Sequence, residues 1–315
     1  MSLISKNNLI INNRYKILED KEKGSGTFSN VYLAEDLTNQ KHFAVKILKT
    51  LTPDFEKEIS ILQKVSSINN PYIVNLVDSG NEFLTIGENP GYKQYAILEY
   101  CSRGDLFDFI EKTEFGLKEK SAKFLFRKIL KGVQAFHNLG ICHRDLKLQN
   151  ILLDELFNPK ICDFGFATEI EGKDGSRKLT EILGSQYYVA PEIYLRRAYD
   201  GIKADIFSLG VILFNLTSGK IGFFEANRKD EYYRYIITHH HELYWKKVQK
   251  QIGEISNELK TLYLKMVDYK EEKRPNIEEI LNDPWMKEIN DLNEIEYKIL
   301  EEEVYQEFVK LYDKK

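Results

Sequence analysis

The sequence is poor in cysteine and has no long hydrophobic run. Its three cysteines, Cys101, Cys142 and Cys162, are too few for a disulfide framework and lack a Cys-x-x-Cys spacing for zinc. Apolar runs such as Val211–Phe214 are far shorter than the roughly 18 to 20 residues that span a bilayer. The N-terminus also lacks an apolar secretory stretch. We therefore expect a soluble cytoplasmic protein with no membrane partner, with the nucleus as an alternative location.

A large excess of either charge is also missing. The sequence has 45 Lys and Arg residues against 49 Asp and Glu residues, a net charge of -4. We therefore expect no nucleic-acid partner, because bulk charge dominates such binding. The 315 residues, of which 43% are hydrophobic and 12% aromatic, are enough for a globular protein of about two domains.

The chain changes character after about one third of its length. Val31–Leu33, Phe43–Ile47 and Tyr95–Leu98 are rich in β-branched and aromatic residues, which predicts strands, and Thr52-Pro-Asp54 predicts the start of one helix. From Asp105 onward, helical spacing prevails. We predict an α+β fold of two lobes. Its predicted parts are an N-terminal extension (1–14), a strand-rich lobe (15–98), a hinge (99–102), a helical lobe (103–288) and an acidic C-terminal helix (289–315).

The C-terminal segment is strongly acidic. From Glu288 to Lys315 there are nine acids and four lysines, a net of -5, so residues 1–287 carry +1 of the total of -4. Two interpretations stay open: a terminal helix packed on the second lobe, or a helix that binds a regulatory partner. Its predicted apolar stripe consists of Leu292, Ile295, Ile299, Tyr305, Phe308 and Tyr312.

A short glycine-containing segment, Gly24-Ser25-Gly26, lies between two predicted strands. Its backbone amides could approach phosphate oxygens closely, although such segments are also common turns. Lys46 on the next strand needs an anionic partner if it is buried, and Glu58 on the following helix can supply one. A structural ion pair is the alternative interpretation, and the two are compatible.

The most specific motif is His143-Arg-Asp-Leu-Lys-Leu-Gln-Asn150, followed by Asp163-Phe-Gly165. With these residues the sequence resembles the eukaryotic protein kinase family, from about Tyr15 to Glu288. Gly184–Glu192 and Arg274-Pro275 extend the resemblance. It implies the bilobal kinase fold, with a small β-rich N-lobe that carries one key helix and a larger helical C-lobe, and it implies a buried ion pair of Glu192 with Arg274.

The resemblance also implies roles in phosphoryl transfer, in which an enzyme mainly positions reactants and neutralises charge. Lys46, held by Glu58, would bind the α- and β-phosphates of ATP. Asp145 would orient the substrate hydroxyl and accept its proton, and Lys147 would stabilise the transferring group. Asn150 and Asp163 would hold Mg²⁺. The nucleotide would be bound by Gly24, Ser25, Gly26, Val31, Ala44, Lys46, Leu98, Glu99, Cys101, Asp105 and Leu152.

These matches predict a serine/threonine protein kinase in intracellular signalling, with protein substrates and an open role for a regulatory partner at the C-terminal helix. Lys147 is typical of the serine/threonine type. Glu181, Tyr187-Tyr188 and Asp283-Pro-Trp285 make the chain most similar to the calcium/calmodulin-dependent and calcium-dependent kinases. Two alternatives are a pseudokinase or scaffold that binds nucleotide without efficient transfer, and a small-molecule kinase. The segment Gly184–Glu192, implied to bind protein substrates, argues against the latter.

Glu181 occupies the position at which many kinases carry an activating phosphothreonine. A carboxylate has one negative charge, against about 1.5 to 2 for a phosphate, and it could partly pair with Arg144. We hypothesise that basal activity requires no phosphorylation of this segment.

Overall fold

Alternating apolar and polar residues in the first hundred positions form antiparallel strands. In the computed structural model, residues 9–25, 29–86, 89–171, 176 and 178–313 are described. The chain divides into two units, one comprising Met1–Asn69 and Ile73–Ser102, the other Asn70–Tyr72 and Arg103–Lys315. In its described residues the first unit is a β-sheet with one helix, and the second unit is mainly helical, so the predicted α+β class is confirmed.

The described strands of the first unit form one antiparallel sheet in the order β1-β2-β3-β4-β6-β5. Part of the predicted N-terminal extension joins it, because β1 pairs with β2. The bounds are β1 Ile10–Ile11, β2 Tyr15–Ser25, β3 Ser29–Asp36, β4 His42–Leu48, β5 Leu76–Ile86 and β6 Asn89–Glu99, and helix α1 spans Asp54–Ser66.

The sheet of the first unit has apolar residues on both faces. Val45 and Ile47 of β4 pack with Tyr15 and Ile97 on one face. Leu48, on the other face, packs with Ala96 and with Phe55 of α1. This alternation along β4 follows from the two-residue period of a strand.

The described part of the second unit contains three long helices, which span Glu119–His137, Gly201–Ser218 and Glu294–Tyr312. Helix α3, Glu119–His137, buries Ala122, Leu125, Ile129, Val133 and Phe136, which recur at the three- and four-residue spacing of a helix, as predicted for this part of the chain. The helices are α2 Leu106–Glu111, α3 Glu119–His137, α4 Pro191–Tyr194, α5 Gly201–Ser218, α6 Tyr233–Ile237, α7 His241–Ile252, α8 Asn257–Met266, α9 Ile277–Leu281, α10 Lys287–Asn290 and α11 Glu294–Tyr312. Two small sheets pair β7 Ile141–Cys142 with β10 Thr168–Glu169, and β8 Ile151–Leu153 with β9 Pro159–Ile161.

One described helix, α5, is long and apolar enough to cross a membrane by length and composition alone. However, 89% of that stretch is buried inside the unit, as expected of a core helix.

Helix α11 packs on the second unit, which is the first of the two interpretations given above for the acidic segment. Leu300, Val304 and Phe308, four residues apart, form its buried face. The predicted stripe was wrong for Ile295 and Ile299, which are 72% and 54% exposed. Both residues lie outside the buried face of α11 that Leu300, Val304 and Phe308 form.

Candidate active site

The first unit holds a lysine–glutamate ion pair. Lys46 lies on β4 and Glu58 on α1, and Lys46 Nζ is 2.5 Å from Glu58 Oε1. Glu58 is buried, and a buried carboxylate needs such a partner because desolvation disfavours its charge. The structure thus contains the predicted pair, and its role as a phosphate anchor stays a prediction.

Four predicted nucleotide residues share one face of the sheet. In the strand register Val31 lies opposite Lys46, and Ala44 lies opposite Leu98. Residues directly opposite each other, or two apart in one strand, point to the same side. Val31, Ala44, Lys46 and Leu98 therefore form one surface, on the side where Leu48 packs against α1.

The glycine-containing segment is described only in part. Gly24 and Ser25 end β2, with their backbones opposite Val31 and Asn30. Gly26 and the side chain of Ser25 lie outside the described residues. Phosphate binding by this segment stays a prediction.

Glu99 and Cys101, the predicted hinge contacts, lie at the end of the first unit. The Glu99 N–H donates to the Asn75 carbonyl at 2.9 Å, and the Glu99 carboxylate accepts from the Asn75 N–H at 3.3 Å. Cys101 is buried. Their backbone contacts with adenine stay predictions.

Asp105 and Leu152 are the predicted nucleotide residues of the second unit, and an isolated β-bridge joins them. Asp105 also caps α2, since its Oδ1 accepts a hydrogen bond from the Asp108 N–H at 2.9 Å. Burial raises the pKa of the Asp105 carboxyl. The sequence analysis missed the capping role, although an Asp directly before an apolar helical run is its usual signal.

A buried carboxylate fixes the loop His143–Asn150. Asp205 of α5 is fully buried and accepts hydrogen bonds from the N–H groups of His143 and Arg144, both at 2.8 Å. Arg144 has a φ of 67°, a left-handed conformation that is unfavourable for a residue with a side chain. The charge-assisted hydrogen bonds offset this strain and so position Asp145, the next residue.

His143 is a structural residue of this loop and is fully buried. Its Nδ1 accepts a hydrogen bond from the Asp145 N–H at 3.3 Å, so the ring proton lies on Nε2, which contacts the Cys162 carbonyl at 3.0 Å. The Phe164 ring lies 4.9 Å from the His143 ring, between centroids. Both ring nitrogens are engaged, so His143 joins the loop to the Asp163-Phe-Gly segment.

Several donors converge on the Asp145 carboxylate. Lys147 Nζ donates to Oδ2 at 2.7 Å, and Asn150 Nδ2 donates to the same oxygen at 3.1 Å. The backbone N–H and the hydroxyl of Ser185 donate to Oδ1 at 2.9 and 2.8 Å. These hydrogen bonds fix the orientation of the Asp145 side chain.

Ser185 is a site residue that the sequence analysis did not identify. Its hydroxyl accepts a hydrogen bond from Lys147 Nζ at 2.8 Å and donates to Asp145. Its position in Gly184–Glu192, a segment implied to bind substrate, was the only signal. That segment lies 40 residues from Asp145 along the chain, so only the fold reveals the contact.

The structure brings Asn150 close to Asp163. The Cys162 N–H donates to the Asn150 carbonyl at 3.0 Å. Asp163 has a φ of 61° and is exposed. Asn150 Nδ2 donates to Asp145, so the orientation of the amide assigns its Oδ1 as the atom that a cation would meet. A carboxylate and an amide oxygen are hard ligands, which fit Mg²⁺.

Glu181 forms the expected pair with Arg144. Arg144 Nη1 lies 3.2 Å from Glu181 Oε2, and Arg144 Nε donates to the Phe166 carbonyl at 2.7 Å. A hydrogen bond from its own backbone amide, and the charge of Arg144, lower the pKa of the Glu181 carboxyl. The carboxylate is therefore ionised at neutral pH, and the pair is lost only as the pH falls through this lowered pKa.

We expect the phosphatase-treated chain to keep its activity and Glu181→Gln to lose about two- to fivefold in kcat. The carboxylate is 46% exposed, and a pair of this kind contributes up to about 1 kcal/mol. The first expectation is checked by the rate of phosphoryl transfer before and after phosphatase treatment, with the released phosphate measured to show that the treatment worked. The second is checked by the kcat of Glu181→Gln beside that of the unmodified chain. Loss of activity on phosphatase treatment, mapped to Thr180 or Ser185, would contradict the hypothesis.

The ion pair implied for Glu192 and Arg274 is present and buried. The guanidinium Nη1 and Nη2 donate to the two oxygens of Glu192, both at 2.7 Å. Arg274 also donates to the carbonyls of Asp268 and Lys203. This bidentate geometry fastens the segment that ends at Glu192 to the helical core.

Comparison with known proteins agrees with this geometry. The family model described as protein kinase domain matches residues 18–286. CBL-interacting protein kinase 26 of Oryza sativa subsp. japonica is 34% identical over 296 residues, which cover 92% of this chain and 55% of that protein. CBL-interacting serine/threonine-protein kinase 18 of Arabidopsis thaliana is 32% identical over 293 residues, which cover 89% and 51%.

The chain therefore belongs to the protein kinase domain family, whose members use ATP and a divalent metal. The Arabidopsis relative is named as a kinase of the serine/threonine type. The chain spans about half the length of the curated relatives it matches.

Proposed function

We propose that this chain transfers the γ-phosphoryl group of ATP to serine and threonine hydroxyls of protein substrates in signalling. The observation that carries the proposal is the Asp145 carboxylate, held by Lys147, Asn150 and Ser185. Phosphoryl transfer needs an oriented base for the hydroxyl and a nearby cation for the developing charge. Asp145 and Lys147, joined by a hydrogen bond, provide both.

The first unit contributes charge to the same reaction. Lys46 neutralises the α- and β-phosphates, and Glu58 keeps its ammonium group oriented. Removing Glu58 would leave Lys46 without this partner.

Asn150 and Asp163 would hold Mg²⁺. When bound, the metal neutralises phosphate charge. Asp163 contributes an exposed carboxylate beside the loop, and Phe164, the next residue, is buried against His143 and so fixes the backbone on the C-terminal side of Asp163.

Of the residues that we assign to binding of the nucleotide base, Val31, Ala44 and Leu98 belong to one apolar face of the first unit, and Leu152 belongs to the second unit. Support comes from the strand register in the first unit and from the bridge of Leu152 to Asp105 in the second. No observation favours a pseudokinase, because every charged group of the transfer chemistry is present.

The regulation of this protein and its location in the cell are also proposals. The names of the relatives support a regulatory protein partner, with α11 as the surface that we propose for it. They do not support a calcium-dependent group, whose assignment rests on Glu181, Tyr187-Tyr188 and Asp283-Pro-Trp285 alone. We keep a cytoplasmic location as a proposal.

The test uses the purified chain with γ-labelled ATP, Mg²⁺ and a general protein substrate. We expect label on substrate serine and threonine, and a loss of about 10²-fold or more with Asp163→Asn. Chelation of the metal should stop transfer reversibly. Nucleotide binding without transfer by the unmodified chain would reject the proposal in favour of a scaffold.

A further inference from the structure

The C-terminal end of α11 packs against two elements of the second unit. The Phe308 ring lies 5.0 Å from Phe109 of α2 and 5.9 Å from Phe157, between centroids. The Tyr312 ring lies 5.7 Å from Phe157. Phe157 belongs to the turn that joins β8 to β9. The end of α11 therefore contacts both α2 and this hairpin.

Arg103 is inserted into the same aromatic cluster. Its guanidinium lies 4.9 Å from the centroid of Phe157 and 4.9 Å from that of Tyr312. Among the described residues, Arg103 Nε is buried without a hydrogen-bond partner. A guanidinium whose Nε is buried without a hydrogen bond is stabilised by such cation–π contacts. Tyr312 thus supplies one of the two rings that hold Arg103.

The cluster is attached directly to the predicted nucleotide residues. The Arg103 N–H donates to the Leu153 carbonyl at 3.1 Å, and the Leu153 N–H donates to the Gly104 carbonyl at 2.9 Å. These bonds lie beside the bridge between Asp105 and Leu152. Any shift of the Arg103 backbone would therefore move both residues.

Phe157 needs support from its surroundings. Its φ of 60° places a bulky residue in the left-handed region, which such residues rarely adopt. It is nevertheless buried, with aromatic rings around it. Because β8 carries Leu152, packing at Phe157 determines where this hairpin lies.

We propose that Tyr312 and Phe308 are positioning residues for nucleotide binding, which they support by holding Arg103 and Phe157 and hence Asp105 and Leu152. This inference rests on the proposed function, because it takes Asp105 and Leu152 as nucleotide contacts. It makes the acidic C-terminal helix part of the nucleotide-binding machinery of the second unit.

The helix has other attachments, so the role of Tyr312 can be isolated. Glu301 Oε1 lies 2.8 Å from Nζ of the buried Lys128, and Ser121 of α3 donates to Glu307 at 2.9 Å. Leu300 and Val304 are buried as well. A change at Tyr312 therefore removes the aromatic contact and leaves α11 in place.

The experiment measures the KM for ATP, the KM for a peptide substrate, kcat and the Kd for ATP. We expect Tyr312→Ala to raise the KM and Kd for ATP about three- to tenfold, with kcat and the KM for the peptide unchanged. Tyr312→Phe keeps the ring and should behave like the unmodified chain. Ile299→Ala, on the exposed face of the same helix, is the matched control.

Two outcomes would overturn the proposal: an ATP affinity of Tyr312→Ala equal to that of Ile299→Ala, or equal increases in both KM values, which would indicate general destabilisation. The Kd separates this inference from the proposed function. A chain without transfer activity whose ATP affinity still falls with Tyr312→Ala would reject the kinase activity and retain the positioning role.

Discussion

Replacing Asp145 with asparagine should lower kcat about 10²- to 10⁴-fold, the usual contribution of a positioned general base. Each carboxylate oxygen of Asp145 accepts two hydrogen bonds: Oδ2 from Lys147 and Asn150, and Oδ1 from the backbone N–H and the hydroxyl of Ser185. In asparagine an NH₂ group replaces one carboxylate oxygen and would face the hydrogen-bond donors that this oxygen now accepts from. The side chain at position 145 would therefore lose its fixed orientation as well as its basicity. Steady-state transfer to a protein substrate measures the effect.

Ser185 supplies the control for this prediction. Ser185→Ala keeps the backbone donor to Asp145 and loses only the hydroxyl, so kcat should fall about 10- to 100-fold. Ser185→Thr keeps the hydroxyl and should retain most of the activity. A variant Asp145→Asn that is folded, binds ATP and turns over at the normal rate would show that another group serves as the base.

Residue identity at short spacing was enough to predict the residues that the loop contributes to this site. Asp145, Lys147 and Asn150 lie in one loop, where a few fixed positions indicate the chemistry without knowledge of the fold. The α+β class was equally accessible, because strand and helix periods differ clearly along the chain. The approach of Ser185 to Asp145 was not, since it depends on how a distant segment returns to the loop.

The C-terminal helix shows where pattern alone fails. Its apolar residues are compatible with more than one buried face, and the predicted stripe included the exposed Ile295 and Ile299. Ion pairs with lysines of α3 help to determine which face of α11 is buried. The buried Lys128 requires an acidic partner, and Glu301 of α11 supplies it. Much of the acidity of this segment is therefore complementary to a helix of the same unit.

Separating Glu192 from Arg274 should cost about 3 to 5 kcal/mol in the free energy of unfolding of the second unit. The Arg274 side chain is fully buried and that of Glu192 is 9% exposed. Arg274→Met would leave the carboxylate buried without a counter-charge. It would also remove the donors to the Asp268 and Lys203 carbonyls. Urea unfolding, followed by a probe in the second unit, measures the loss.

The double variant Glu192→Leu/Arg274→Met shows whether the charge left behind causes the loss. Because it buries no unpaired carboxylate, it should be more stable than Arg274→Met alone, and a double-mutant cycle gives the coupling. Arg274→Lys keeps the charge and loses the bidentate geometry, so its free energy of unfolding should lie between those of Arg274→Met and the unmodified chain. If single and double variants lose equal stability, the cost comes from the packing of Arg274 against Phe207, 5.0 Å from its guanidinium, and the ion pair contributes little.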